Sequence, residues 1–157
     1  MANSPWGTLS LKGRALRYLS QREHSRLELE RKLARHVPQD DDIDGQALIA
    51  KALDELTAAG LLSEARVAES VLSSQGQRYG IRRLKQTLTS KGLEPELVSR
   101  TLAQARSTEL ARAQEVWRRR FGSPATDPRE RARQMRFLAG RGFDGDVIRR
   151  VVRGAED

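Results

Sequence analysis

The chain has 157 residues, 38% hydrophobic and 32% charged, with no Cys and a net charge of +8. No apolar run approaches the roughly 20 residues needed to cross a bilayer. Without Cys there are no disulfides or thiolate metal sites, as suits a reducing cytoplasm.

The charge is lopsided. Residues 1–75 carry 10 Lys+Arg against 11 Asp+Glu, and residues 76–157 carry 19 against 10. Nearly all the cation in the second half is Arg, whose planar fork suits phosphates and carboxylates. This is the footprint of a polyanion binder; the bland alternative is a solvated basic surface. No segment joins a basic face to a Trp/Phe/Leu-rich one, so the pattern argues against binding to acidic membranes.

The opening stretch MANSPWGTLSLKGRALRYL lacks an h-region and does not read as a secretory signal. Strand patterns are nearly absent from the chain. Ala, Leu, Arg, Glu and Gln with apolar spacings of 3 and 4 predict about nine helices. Ser25 and Glu28 predict a capping box ahead of Leu29 and Leu33. Asp44 is placed to cap the run Leu48, Ile49, Ala52, Leu53, Leu56, with Gly60 as the residue just past its end. Ser63 opens a helix with Val67, Val71 and Leu72. Gly92 closes the next, and Pro95 starts another, where its missing N–H costs nothing. Asp127, Pro128 and Glu130 open a helix carrying Met135 and Leu138, and Gly142 and Asp144 separate it from the last.

One helical phrase is written more than once. Residues 87–102, TLTSKGLEPELVSRTL, overlay residues 137–152, FLAGRGFDGDVIRRVV, without a gap. Leu88 falls on Leu138, Lys91 on Arg141, Gly92 on Gly142, Val98 on Ile148 and Arg100 on Arg150. A third copy sets Leu29 and Leu33 over Leu84 and Leu88, with an insertion around PQDDDIDG. Each copy has an apolar stripe too thin to fold alone, so stacked modules are expected. The expected class is therefore all-α: an elongated tandem of three three-helix, helix-turn-helix-like modules at 1–62 (with an acidic loop at 39–44), 63–106 and 107–157.

Enzyme chemistry has little to work with. His24 and His36 stand twelve residues apart and are expected near one helix's polar side. No Walker sequence, phosphate-cradling Gly loop or Gly-x-Ser-x-Gly elbow is present. Asp40-x-Asp42-x-Asp44-Gly45 matches the first half of an EF-hand loop, but Lys51 stands where a bidentate Glu belongs, so it reads as a solvated acidic loop. No catalytic residue, cofactor or metal is expected.

The basic stretches say more. GQRYGIRRLKQ sets Arg82, Arg83 and Lys85 at the head of a helix beside Tyr79. WRRRF sets Arg118, Arg119 and Arg120 between Trp117 and Phe121, whose i, i+4 spacing reads first as core. RERARQMR contributes Arg131, Arg133 and Arg136, and the helix turns add Lys91 and Arg141. Arg interleaved with aromatics suits phosphates together with base stacking. Arg118 to Arg120 fan around a helix and cannot all face one ligand.

Four stretches, YLSQREHSRLELERKL, LDELTAAGLLSEARVAES, RYGIRRLKQTLTSKGL and FLAGRGFDGDVIRRVV, together resemble the RecX family of regulatory proteins in bacterial recombination. The resemblance covers roughly residues 11–153. Leu61, Ser63-Glu64 and Val67 depart from the family's usual aromatic, acidic pair and Phe after Gly60, as core and capping substitutions. The resemblance implies three tandem three-helix repeats without enzymatic activity. It further implies binding to RecA in the groove of its nucleoprotein filament, restraining ATP hydrolysis, strand exchange and coprotease activity within DNA repair and the SOS response; a cytoplasmic location and a monomer are separate expectations. Direct contact with single- or double-stranded DNA is a further expectation. The eleven cations Arg82, Arg83, Lys85, Lys91, Arg118, Arg119, Arg120, Arg131, Arg133, Arg136 and Arg141 are the candidate RecA- or DNA-contacting residues. A DNA-binding transcriptional regulator of helix-turn-helix type is the competing reading.

Overall fold

The computed structural model describes residues 9–154. Among them are nine α-helices, one 3₁₀ turn and no strand. They run α1 (Leu11–Gln21), α2 (Arg26–Leu33), α3 (Gly45–Ala58), α4 (Glu64–Gln75), α5 (Ile81–Ser90), α6 (Pro95–Arg106), α7 (Glu109–Arg120), α8 (Pro128–Gly140) and α9 (Gly145–Gly154). The 3₁₀ turn, Ala34–His36, follows α2.

The boundaries follow from local chemistry. The Ser25 hydroxyl accepts from the Glu28 N–H while the Glu28 carboxylate accepts from the Ser25 N–H, completing the capping box. Asp44 and Asp127 cap α3 and α8 through the N–H groups of Ala47 and Glu130. Ser63 does the same for α4 through Arg66 N–H. Gly60, Gly92 and Gly142 take positive φ where α3, α5 and α8 stop, and Pro95 opens α6.

The chain forms two compact units that divide within α4, one up to Val67 and one from Ala68 onward. In the first, α1 packs on α2 and α3. Its core is Ala15, Leu29, Leu33, Ile49, Leu53, Leu56 and Leu62. Leu48 does not join that core: it is 44% exposed, one position off the buried stripe of α3. His24 also departs from expectation. It is buried in the α1–α2 turn, its ring 5.7 Å from Tyr18, while His36 is exposed on the 3₁₀ turn.

In the second unit α5 packs on α6, α6 on α7, and α7, α8 and α9 on one another. Ala113, Leu138, Phe143, Ile148, Val151 and Val152 form one core, with Trp117, Met135 and Phe137 partly buried against it. Ile81, Leu84, Leu88, Val98 and Leu102 are buried between α5 and α6.

The written repeat is a burial repeat. Leu33, Leu88 and Leu138 are each fully buried at the same place in α2, α5 and α8. Ile49, Val98 and Ile148 hold the corresponding place in α3, α6 and α9. At the place of Leu29 and Leu84, α8 carries Gln134, as deeply buried. Its amide accepts from Trp117 Nε1–H at 2.9 Å and donates to Ser123 O at 3.2 Å, so the polar side chain is satisfied.

Candidate polyanion-binding face

Two glycines bring the start of α5 against the turn between α8 and α9. Gly80 N–H donates to Arg141 O and Arg82 N–H donates to Gly142 O, both at 2.9 Å. A Cβ on Gly80 would lie 2.4 Å from Phe143 Cα, and one on Gly142 would lie 2.5 Å from Arg83 Cβ. Only bare backbone permits this approach. The segment leading into α5 is fixed from the other side by Arg112 of α7. Its guanidinium donates to Gly76 O and Tyr79 O at 2.6 Å each and to Ala105 O at 2.8 Å. Burial lowers the Arg112 pKa from its ordinary value, and the Glu109 charge opposes that shift.

The result is a continuous chain of cations and rings. Tyr79 has Arg83 at 4.7 Å, Arg78 at 5.5 Å and Arg141 at 5.7 Å from its centroid. Arg141 also lies 5.2 Å from the Phe137 ring, which Arg120 approaches to 5.3 Å. Phe137 meets Phe121 edge-on at 5.4 Å, and Arg133 stands 5.3 Å from Phe121. Each exposed cation–ring contact contributes only about 0.5–1 kcal/mol. Their larger effect is positional: half-buried rings hold Arg78, Arg83, Arg120 and Arg133 exposed and spaced along one surface. Phe121 thus has a ring in the cation array, while Trp117 belongs to the core margin.

Of the eleven candidate cations, Arg83, Arg120, Arg133 and Arg141 come together here. Arg82 stands at the edge and pairs with Asp144 at 3.2 Å. Arg118 and Arg119 share Glu115 at 2.7 and 2.9 Å, which removes one of their two charges from play. Hydrogen bonds from Arg118 and then Arg119 hold the Glu115 carboxyl below its ordinary range, and Glu115 in turn raises Arg118. Lys85 is elsewhere, on the rim of a groove of about 630 Å³ between α5 and α6 with Leu93, Val98, Leu102 and Arg106. Lys91 is half-buried at the end of α5. Arg131 lines a groove between α8 and α9, and Arg136 is exposed on α8 outside the ring contacts. Sequence reasoning passed over Arg78 and Arg112. Arg78 abuts Tyr79 in the RYG stretch that drew attention to its neighbours; the Glu109-x-x-Arg112 spacing signalled the other.

Among the described residues no group of three or more His, Cys, Asp or Glu side chains could hold a metal ion. No described helix is long and apolar enough to cross a membrane.

Comparison with known proteins agrees with this architecture. Residues 12–44 match the model for the first three-helix domain of RecX, and residues 107–152 match the model for the third. The chain is 51% identical over 148 residues to the regulatory protein RecX of Leptothrix cholodnii, covering 94% of this chain and 90% of that one. It is 45% identical to the regulatory protein RecX of Ralstonia nicotianae over 152 residues, covering 97% and 92%. The crystal structure of RecX from Lactobacillus salivarius superimposes with a TM-score of 0.73 at 20% identity, covering 93% of this chain and 94% of that one, a likeness of fold. With relatives this similar along nearly their whole length, the chain belongs to the RecX family.

Proposed function

We propose that this protein regulates homologous recombination without catalysing a reaction: it binds RecA in the groove of the RecA–DNA filament and restrains ATP hydrolysis, strand exchange and coprotease activity. The observation that carries this reading is the array Arg83–Tyr79–Arg141–Phe137–Arg120 with Arg133 on Phe121. A filament groove presents phosphates and acidic protein, and guanidinium forks bind both. Charge complementarity would speed encounter and set register more than it would add affinity. Contacts spread over successive RecA protomers would resist the motions that accompany ATP turnover.

The competing transcriptional reading requires base-edge readers at the head of a recognition helix. The last helices of the three expected modules, α3, α6 and α9, begin Gly45-Gln46, Pro95-Glu96 and Gly145-Asp146. A carboxylate at the tip of two of the three repels the phosphate backbone, which disfavours that mode.

The test is single-strand-dependent ATP hydrolysis by RecA, titrated with this protein and with the R83E/R120E/R133E variant. The parent should inhibit at ratios well below one per RecA protomer. The variant should need at least tenfold more while keeping its helical circular dichroism. Equal inhibition by a folded variant would reject the basic-face mechanism, and no inhibition by the parent would reject the recombination role.

A further inference from the structure

Arg133, Phe137 and Arg141 follow one another at four-residue intervals on a single face of α8 and its end. Arg131 and Met135 sit two residues back from Arg133 and Phe137, which at 3.6 residues per turn places them about 160° around the helix. There they form, with Arg149, Val152 and Arg153 of α9, a groove of about 460 Å³. The third helix triplet therefore carries arginines on opposite sides of one helix, one set laced with rings and the other flanking aliphatic side chains.

From this arrangement we infer that the α8–α9 groove is a second phosphodiester-binding site, so that a single chain holds two nucleic-acid segments at once. Several features of the groove point to a polyanion. Three cations, Arg131, Arg149 and Arg153, converge on it, against the single carboxylate of Asp146, which pairs with Arg149. Arg131 stands at the end of α8's first turn, where the helix dipole disfavours a cation. Arg149 and Arg153 are one turn apart, about 6 Å along the axis, close to two steps of the roughly 3.4 Å rise of a nucleic-acid strand. Alternate phosphates can each meet a fork while a sugar lies against the half-buried Met135. Arg149 and Arg153 are exposed, so a phosphate can reach both, at Arg149 in competition with Asp146. A strand on the ring-laced face cannot reach this groove without turning around α8, so two contacts mean two segments. The inference rests on the first face taking nucleic acid, as proposed above.

The experiment is a sandwich capture without RecA. A biotinylated single-stranded oligonucleotide on beads is loaded with the full-length chain and then offered a second, fluorescent oligonucleotide at low salt. Native mass spectrometry reads how many chains each captured pair contains. The parent should capture the second strand in complexes of one chain and two oligonucleotides. R149E/R153E should lose capture by at least tenfold while still binding the first strand, and R149K/R153K should recover it. Unchanged capture by R149E/R153E, or capture only in complexes with two chains, would overturn the proposal. So would R149E/R153E abolishing inhibition of RecA with capture intact, since the groove would then take an acidic protein surface. Loss of all single-oligonucleotide binding by the parent would instead reject the nucleic-acid role of the first face.

Discussion

The Glu109 carboxylate accepts the backbone N–H of Ile81 at 2.7 Å across 28 residues of chain. Ile81 is the first residue of α5 and Glu109 the first of α7. The same arrangement occurs in the first unit, where Glu64, first in α4, accepts from the N–H of Arg26, first in α2, at 3.0 Å. A carboxylate from the head of a later helix thus satisfies an orphan donor at the head of an earlier one.

Glu109 is 3% exposed, and its loss leaves both the Ile81 N–H and the nearby Arg112 charge undercompensated. E109A should cost about 2–3 kcal/mol in chemical denaturation, and E109Q clearly less because its amide oxygen still accepts. E64A, at a half-buried site, should cost less than E109A. Equal stability of E109A and parent would show that the bond contributes nothing.

Gly142 and Gly60 both end helices with positive φ, but their surroundings differ. A Cβ at 142 strikes Arg83, while a Cβ at 60 meets nothing within 4 Å. G60A should cost about 1–2 kcal/mol for the left-handed backbone alone. G142A adds overpacking, for a total of about 2–5 kcal/mol, and should displace Tyr79 from Arg141. Thermal midpoints of the two variants measure the difference.

His24 links stability to pH. Its Nδ1 lies 3.0 Å from Arg22 O and its Nε2 lies 2.9 Å from Lys32 Nζ. These neighbours select the neutral ring, with Nδ1–H donating to the carbonyl and Nε2 accepting from the ammonium. Burial, foremost, pushes its pKa below the ordinary value, with the Arg22 and Lys32 charges adding to it against the Arg22 carbonyl. The unfolded chain therefore binds the extra proton first, and the folded state loses stability as pH falls through about 6.5 and below. Denaturation midpoints should fall between pH 7.5 and 5, and H24Q should flatten that fall.

Gln134 stands where two repeats have Leu. Q134L would match their pattern but strand Trp117 Nε1–H and Ser123 O. The variant should lose about 1–3 kcal/mol despite its greater hydrophobicity. A gain in melting temperature would show that the polar pin is dispensable.

Salt dependence separates the arginines on Glu115 from Arg120 of the ring array. R120A should lower the salt slope of binding to DNA or filament by about one. R118A should change it far less, because Arg118 makes none of the ring contacts and is bound to Glu115. Equal effects would place the binding surface elsewhere.

Helices and their limits were legible because they are set locally: Ser25 with Glu28, Asp44, Gly92 with Pro95, and Asp127 all write their role within three or four residues. The repeat was legible for the same reason, since its buried positions keep constant spacing. Leu48 misled because it sits beside the true stripe, and one position is 100° of helix. His24 misled because its burial depends on Tyr18 of α1, which no local pattern reveals. At the candidate face, Arg83, Arg120, Arg133 and Arg141 were named among eleven, but their union depends on Gly80 meeting Phe143 across 63 residues. Glu115 offset one of the two charges of Arg118 and Arg119 through a pairing that sequence permits but does not require.

The Glu64 and Glu109 bonds also set an order of events during synthesis. The head of α2 waits 38 residues for its partner and the head of α5 waits 28. At roughly 5–20 residues per second on the ribosome, each of these two helix heads spends a few seconds with its first N–H unpartnered. The bond forms only when the first turn of α4 or α7 emerges. A fragment cut just before α4 or α7 would keep that vacancy permanently, so a piece that satisfies every such donor extends one turn into the next helix.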